Sequence, residues 1–532
     1  MKTSNFLGFS AVILPALASA LCASCYHDPP PPEVPGPTVA HPTAPPRAAE
    51  IAPADVKIVS SRSADSRIVS FRIAFATGSS DDPKDREGLT NLTADLMTDG
   101  GTESLTYAEL SQRLFPMAAS IVARVERDET VFEAQVTKAS LESFVPILRD
   151  VLIAPRLDQA GFDRVRARET SSLVDDLRGG NDEALGKEAL HALLYDSHPY
   201  GHPVVGTEHG LSSATLDDVR AHKKKVFCRE RMVIGLAGGF PEGFDKRFSA
   251  ELGTKVPACD AARAELPPFK SEHGVHVLIV DKPTADATAI SIGFRTQLTR
   301  ASADFPAVAF FTDYLGLHRQ SAGVLYHQLR ELRGLNYGDY AYSEFFQQEG
   351  GVSRFPLPNI VRREQLVSLW IRPVKPKNGI FALRGALDFY SRLLSGGIPK
   401  AEIERFREFL SRYIGLEQQT ENRRLGYTMD DVAYGLKKPY LDTMRGGWSA
   451  LDEASLKAAT DRWLTVKDIS IAIVAKDGEA LAAALEKGDA SPPTYDTPKP
   501  PSVLKDDAEI QKFSIGIDPK NVKVVPVADM FK

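Results

Sequence analysis

Residues 68–78, IVSFRIAFATG, and residues 287–294, ATAISIGF, decide the fold. Each is a strand-like run that leads through a polar turn into a helix, and the chain writes this order twice. In the first copy the helix starts at about Gly88; in the second, after the additional strand VHVLIV at residues 275–280, it is the apolar run FPAVAFFTDYLG from Phe305. The first copy continues with a helix near residues 107–114, strands up to Val136 and the run FVPILRDVLIAPRLDQAGFDRVR. The second answers with VSLWIRPV and IFALRGALDFYSRLLSGGIPKAEIERFR. Both closing units, residues 216–239 and 456–478, run from a helix into an aliphatic strand. A repeat of roughly two hundred residues is a duplicated domain, because each copy is long enough to bury its own sheet-and-helix core. The expected class is α+β: two tandem homologous halves, each a mostly antiparallel sheet packed with helices. The halves are expected at residues 55–256 and 271–480, with a proline-marked linker at 257–270 and a proline-rich strap at 481–532 that folds back over the second half.

At 532 residues, 43% hydrophobic and 25% charged, the chain has globular composition and more than one core's worth of length. A net charge of -6 and a pI near 6.1 provide no basic field for nucleic acid. The run Lys223, Lys224, Lys225 reads as a solvated helix face. No G-x-S-x-G elbow, P-loop or dinucleotide fingerprint stands in a strand-turn-helix setting. His198 and His202 flank Pro199 and Gly201, so they belong to a loop with surface or capping roles.

The start of the sequence reads as an export signal: Lys2 precedes an apolar stretch at residues 6–21 that is shorter than a membrane span. Ala18-Ser19-Ala20 fits ordinary cleavage, while Cys22-Ala23-Ser24-Cys25 is similar to a bacterial lipobox with Cys25 as the lipid acceptor. The expected segments are residues 1–25 as signal and 26–54 as an extended tether, with ten prolines between residues 29 and 53. The location expected is the bacterial periplasm, with a lipid anchor at Cys25. Cys228 and Cys259 are the remaining cysteines; a disulfide and two buried thiols are both compatible with their positions, and their spacing is not that of a metal site.

Residues 324–342, VLYHQLRELRGLNYGDYAY, read as a helix, a glycine stop and a strand. Leu325, Leu329 and Leu332 form the expected buried stripe, with Arg330, Glu331 and Arg333 projecting elsewhere. Arg330 and Tyr337 then lie on either side of one short connection, where they can face the same space.

Across residues 55–480 the chain resembles the pitrilysin/insulysin group of zinc peptidases, which includes the mitochondrial processing peptidases and whose subunits contain two such α+β halves. In that group the first helix carries H-x-x-E-H, two zinc ligands and a general base. Here the matching run is GLTNLTADLMTDGGT, residues 88–102, with Asn91, Ala94 and Asp95 in place of His, Glu and His. An amide oxygen is a weak ligand and a methyl group accepts no proton, so the resemblance implies the fold without the zinc chemistry. The group's third ligand is a Glu about 75 to 80 residues onward, completing the three protein ligands of a catalytic zinc. Counting forward reaches Ser172 and counting back from the His198 loop reaches Val174, so Glu169 is passed over.

The same resemblance gives Arg330 and Tyr337 meaning. The group carries a run like LREKxGLAY, whose Arg and Tyr help hold the substrate and the tetrahedral intermediate; this chain has LRELRGLNY with the same spacing. Some bacterial members divide the work between two chains. The resemblance therefore implies a zinc-less subunit of an exported heteromeric metallopeptidase that donates Arg330 and Tyr337 to a composite site. It holds no cofactor itself; the zinc, base and H-x-x-E-H motif come from a homologous partner, and the ligand is a peptide. The alternative is an inactive peptide-binding or scaffold lipoprotein of the same fold.

Overall fold

The computed structural model describes residues 49–51, 56–260, 262–270, 272–346 and 360–532. The expected signal, Cys25 and all of the tether except the backbone of residues 49–51 lie outside the described residues. The architecture is α+β and is built on two six-stranded sheets. The first contains β1 (Ala49–Ile51), β2 (Lys57–Arg62), β3 (Ile68–Phe75), β4 (Ser120–Val125), β5 (Thr130–Thr137) and β6 (Met232–Gly238), in the order β1-β2-β6-β3-β5-β4. The second contains β7 (Val275–Asp281), β8 (Thr288–Thr296), β9 (Asp339–Tyr342), β10 (Gln365–Val374), β11 (Ile469–Ala475) and β12 (Ile517–Pro526), in the order β9-β10-β8-β11-β7-β12. Leaving out β1 and β12, the two orders are the same. Among these shared strands β2 pairs in parallel with β6 and β7 with β11, and the other neighbours are antiparallel; the added β12 also runs parallel to β7.

Four helices also recur. The first half has α1 (Leu89–Asp99), α2 (Leu141–Ile153), α3 (Gln159–Ser171) and α4 (Asp182–Leu194). The second has α5 (Phe305–Gly316), α6 (Gly379–Gly396), α7 (Lys400–Tyr413) and α8 (Glu421–Ala433). A ninth helix, α9 (Pro501–Ile510), belongs to the segment that ends in β12. No helix among the described residues is long and apolar enough to cross a membrane.

The sheets are buried on both faces, which is why β3 and β11 read as nearly unbroken apolar runs. One face of each is covered by helices of its own half. Phe144 of α2, for example, lies 5.6 Å from Phe71 of β3 in the first core. The other face is covered by a helix from the opposite half. Leu185, Ala189 and Leu190 of α4 pack with Leu278, Ala289 and Val474 of the second sheet, while Leu425 and Met429 of α8 pack with Val59, Ala74 and Ala237 of the first.

Glycines permit this close seating. A Cβ on Gly235 of β6 would stand 2.3 Å from Met429 Sδ, and one on Gly293 of β8 would stand 3.2 Å from a methyl of Leu190. Between the halves, the charged turn at residues 126–129 is buried rather than solvated. Asp128 accepts from the Arg363 backbone N–H at 2.8 Å and from the Arg263 guanidinium at 3.0 Å. Burial alone would raise its carboxyl, but Arg263 and Arg363 outweigh burial and hold it down to about 2. Cys228 and Cys259 form a disulfide, with Cα atoms 5.7 Å apart, which ties the end of the first half to the linker.

The close approach at Gly235 makes a testable prediction. Gly235→Val lowers stability by about 1–3 kcal/mol through overpacking against Met429. In urea denaturation, Gly235→Val with Met429→Ala is less destabilised than the sum of the two single changes, because the clash is shared.

Candidate functional site

Asn91, Asp95 and Asp99 are spaced by four along α1 and share its partly exposed face, while Leu92, Ala94, Leu96 and Met97 are buried. The neighbouring α3 brings Glu169 onto this face. Its Oε2 accepts from Asn91 Nδ2 at 2.9 Å, so Glu169, passed over in the sequence count, is the residue that completes the cluster. The count missed because it was taken from the end of the motif and from a distant loop. Asn91 and Glu169 are 78 positions apart, inside the expected interval when counted from the first motif position.

A guanidinium occupies this cluster. Arg168 donates to Asp95 Oδ2 at 2.7 Å, to Glu169 Oε1 at 3.0 Å and to Asp99. Burial works against the charge on Arg168, but Asp99, Asp95 and Glu169 outweigh it and hold its pKa well above the ordinary value. Burial, followed by the adjoining Glu169 carboxylate, pushes Asp95 up to about 8, with Arg168 opposing.

These groups do not fit a catalytic zinc ion. Such an ion takes three strong ligands and leaves a position for water. Here one position is an amide already committed to Glu169, the base position is a buried methyl, and both carboxylates are engaged by a guanidinium.

In the second half, residues 324–332 are helical as expected, but Tyr326–Leu332 is wound as a π-helix. Gly334, at φ 66°, closes it: its N–H donates to Arg330 O at 2.8 Å and that of Leu335 to Leu329 O at 3.0 Å. The wider turn revises the predicted stripe. Leu325 and Leu329 are fully buried, but the next inward position is Arg333, 1% exposed, rather than Leu332. Arg333 is balanced by α9, donating to Asp507 Oδ1 at 2.8 Å and Asp506 Oδ2 at 2.6 Å.

Arg330 and Tyr337 are brought together. The Arg330 guanidinium carbon stands 4.2 Å from the Tyr337 ring centroid and 4.7 Å from that of Tyr326. Tyr337 is 69% exposed. Beneath the pair Asp339 is fully buried; burial pushes it up to about 7, against a hydrogen bond from Asn336 and the charge of Arg330.

The fold is a two-half α+β scaffold, and the positions that the resemblance assigns to zinc ligands and base hold Asn91, Ala94 and Asp95. Residues 57–208 match the model of the insulinase family, peptidase family M16. It is 26% identical over 307 residues to an uncharacterized zinc protease of Mycobacterium leprae, a match covering 57% of this chain and 66% of that protein's length. It is 22% identical over 408 residues to a protein of Helicobacter pylori named as a non-peptidase homolog, covering 76% of this chain and 88% of the relative. Among solved structures, a peptidase M16 inactive domain from Pseudomonas fluorescens superposes with a TM-score of 0.71 at 18% identity, covering 81% of this chain and 98% of that one, which shows the shared fold.

The Asp95 environment predicts a pH dependence. A carboxyl raised from its unfolded value near 3.8 to about 8 contributes stability that is complete below 3.8 and is lost as pH rises through 8. Asp95→Asn removes this titration. Thermal denaturation therefore finds the variant gaining on the parent chain between about pH 5 and pH 8 and levelling off above that.

Proposed function

We propose that this chain is the zinc-less subunit of an exported heteromeric metallopeptidase, closing a peptide-binding chamber and lending Arg330 and Tyr337 to a site whose zinc and base reside on a homologous H-x-x-E-H partner. The observation that carries the proposal is a contrast between the halves. In the first, the cluster at Asn91, Asp95 and Glu169 is neutralised from within by Arg168. In the second, the Arg330 guanidinium and the Tyr337 hydroxyl form no hydrogen bond to another side chain among the described residues, and the Tyr337 ring faces solvent.

A fixed cation with planar donors beside a neutral hydroxyl suits a peptide carbonyl on which negative charge develops. The π-helix carries Arg330, and the glycine stop turns the chain so that Tyr337 comes back beside it. The Cys228–Cys259 disulfide supports export, since such bonds persist chiefly in oxidising compartments.

The experiment is reconstitution with an exported H-x-x-E-H homologue of similar length from the same organism. Isolated, the chain contains no stoichiometric zinc and cleaves no peptide; together, the two hydrolyse peptides. Arg330→Ala and Tyr337→Phe each lower turnover by about 10²- to 10³-fold while the pair still co-elutes. Unchanged turnover in both variants overturns the composite site. A chain that binds peptide but gains no activity with any such homologue is instead an inactive scaffold.

A further inference from the structure

The second half contains a cavity of about 80 Å³ in the gap between α5 and α7, the counterparts of the helices that carry the Asp95 and Glu169 cluster. Asp313 of α5 and Leu410 of α7 line it, and α8 contributes Tyr427. Aromatic rings form much of the remaining wall: Tyr342 and Phe346 stack with centroids 4.6 Å apart, and Tyr440 stacks on Tyr427 at 5.9 Å.

Three carboxylates reach this space, and two of them are already balanced. Glu344 accepts from Arg300 at 2.9 Å, and Glu417 accepts from Arg423 at 2.6 Å and from the Tyr427 hydroxyl. Asp313 is different. Its side chain lines the cavity, is partly exposed, and has no hydrogen bond or ion pair among the described residues. Burial, then the neighbouring Glu417 and Glu344, push it well above the usual carboxylate range, an imbalance that a cation beside it would relieve.

The first half closes the equivalent gap with its own Arg168; no described side chain does so for Asp313. We propose that this cavity is a binding site for a primary alkylammonium group, held by Asp313 and by the faces of the surrounding tyrosines. One carboxylate without a partner among the described residues, set among aromatic rings, suits a single compact positive head on an apolar stem. A dehydrated divalent ion is a poorer match, because it requires about six oxygen ligands and the two other carboxylates are committed to arginines. The site is separate from the Arg330 and Tyr337 pair, and its occupancy does not depend on a zinc-bearing partner.

An alkylammonium head can come from a free amine or from a lysine side chain, and calorimetric titration of the full chain separates them. The probes are n-butylammonium chloride, n-butanol as its neutral counterpart, and acetyl-Ala-Lys-Ala-amide beside the same peptide with norleucine. The expected result is saturable one-to-one binding of butylammonium and none of butanol. Binding of the lysine peptide but not the norleucine peptide assigns a side chain, and binding of butylammonium alone assigns a free amine.

Asp313→Asn, which has the shape of the neutral acid, weakens binding by at least about tenfold, in keeping with the loss of a charge-assisted contact. Ala309→Leu, which fills the cavity from the same helix, abolishes binding while leaving Asp313 in place. Near-UV circular dichroism verifies that both variants are folded. Failure of both ammonium probes to bind, equal binding of butanol, or full affinity in folded Asp313→Asn overturns the proposal.

Discussion

The reciprocal seating of α4 and α8 is the constraint on which the rest of the molecule depends. A sheet with helices on only one face leaves a row of apolar side chains on the other, and each half solves this with a helix borrowed from its twin. The halves are therefore not beads on a string. The first sheet lacks part of its cover until residues 421–433 are available, so a chain made from its amino end carries an incomplete first half through most of its synthesis. The same exchange fixes where α1, α3, α5 and α7 stand, and with them the two interhelical gaps.

Charge inside this fold is managed almost entirely with arginine. Arg333 meets Asp506 and Asp507, Arg300 meets Glu344 and Asp430, and Arg363 and Arg263 meet Asp128. A planar fork can serve two acceptors at once, which suits sites where an unpaired charge would be costly. Buried pairs of this kind do not by themselves make a protein more stable. Once present, though, each partner needs the other, and the aspartates of α9 fasten the carboxy-terminal segment to the back of the π-helix that carries Arg330.

Much of the plan was legible in the sequence because it rests on local periodicity. The strand at Ile68–Phe75, its counterpart at Thr288–Thr296 and the stop at Gly334 follow from apolar spacing and from glycine's freedom at positive φ. The exchange of α4 and α8 was not legible, since an apolar helix face looks the same whichever sheet it covers. Nor was the burial of residues 126–129, because a charged turn normally faces water and only the arginines of distant segments bring it inside. Arg333 was placed outward by a count of 3.6 residues per turn that the π winding does not obey. The positions Asn91, Ala94 and Asp95 could be picked out in the sequence through the resemblance, whereas Glu169 required knowing which helix packs beside α1. The Cys228–Cys259 pairing needed a distance that no sequence spacing provides.

The guanidinium of Arg168 also sets the terms on which this surface could ever change its chemistry. Replacing Asn91 and Asp95 with histidines would leave Arg168 repelling any incoming metal. Removing Arg168 first would leave Asp95, Asp99 and Glu169 facing one another without a counter-charge, and adding Glu at position 94 alone would bury one more acid. Each step is unfavourable until the others are in place, so the path between this cluster and a metal-binding one runs uphill from either end. A single half-exposed cation thus ties the three surrounding acids to one another's presence.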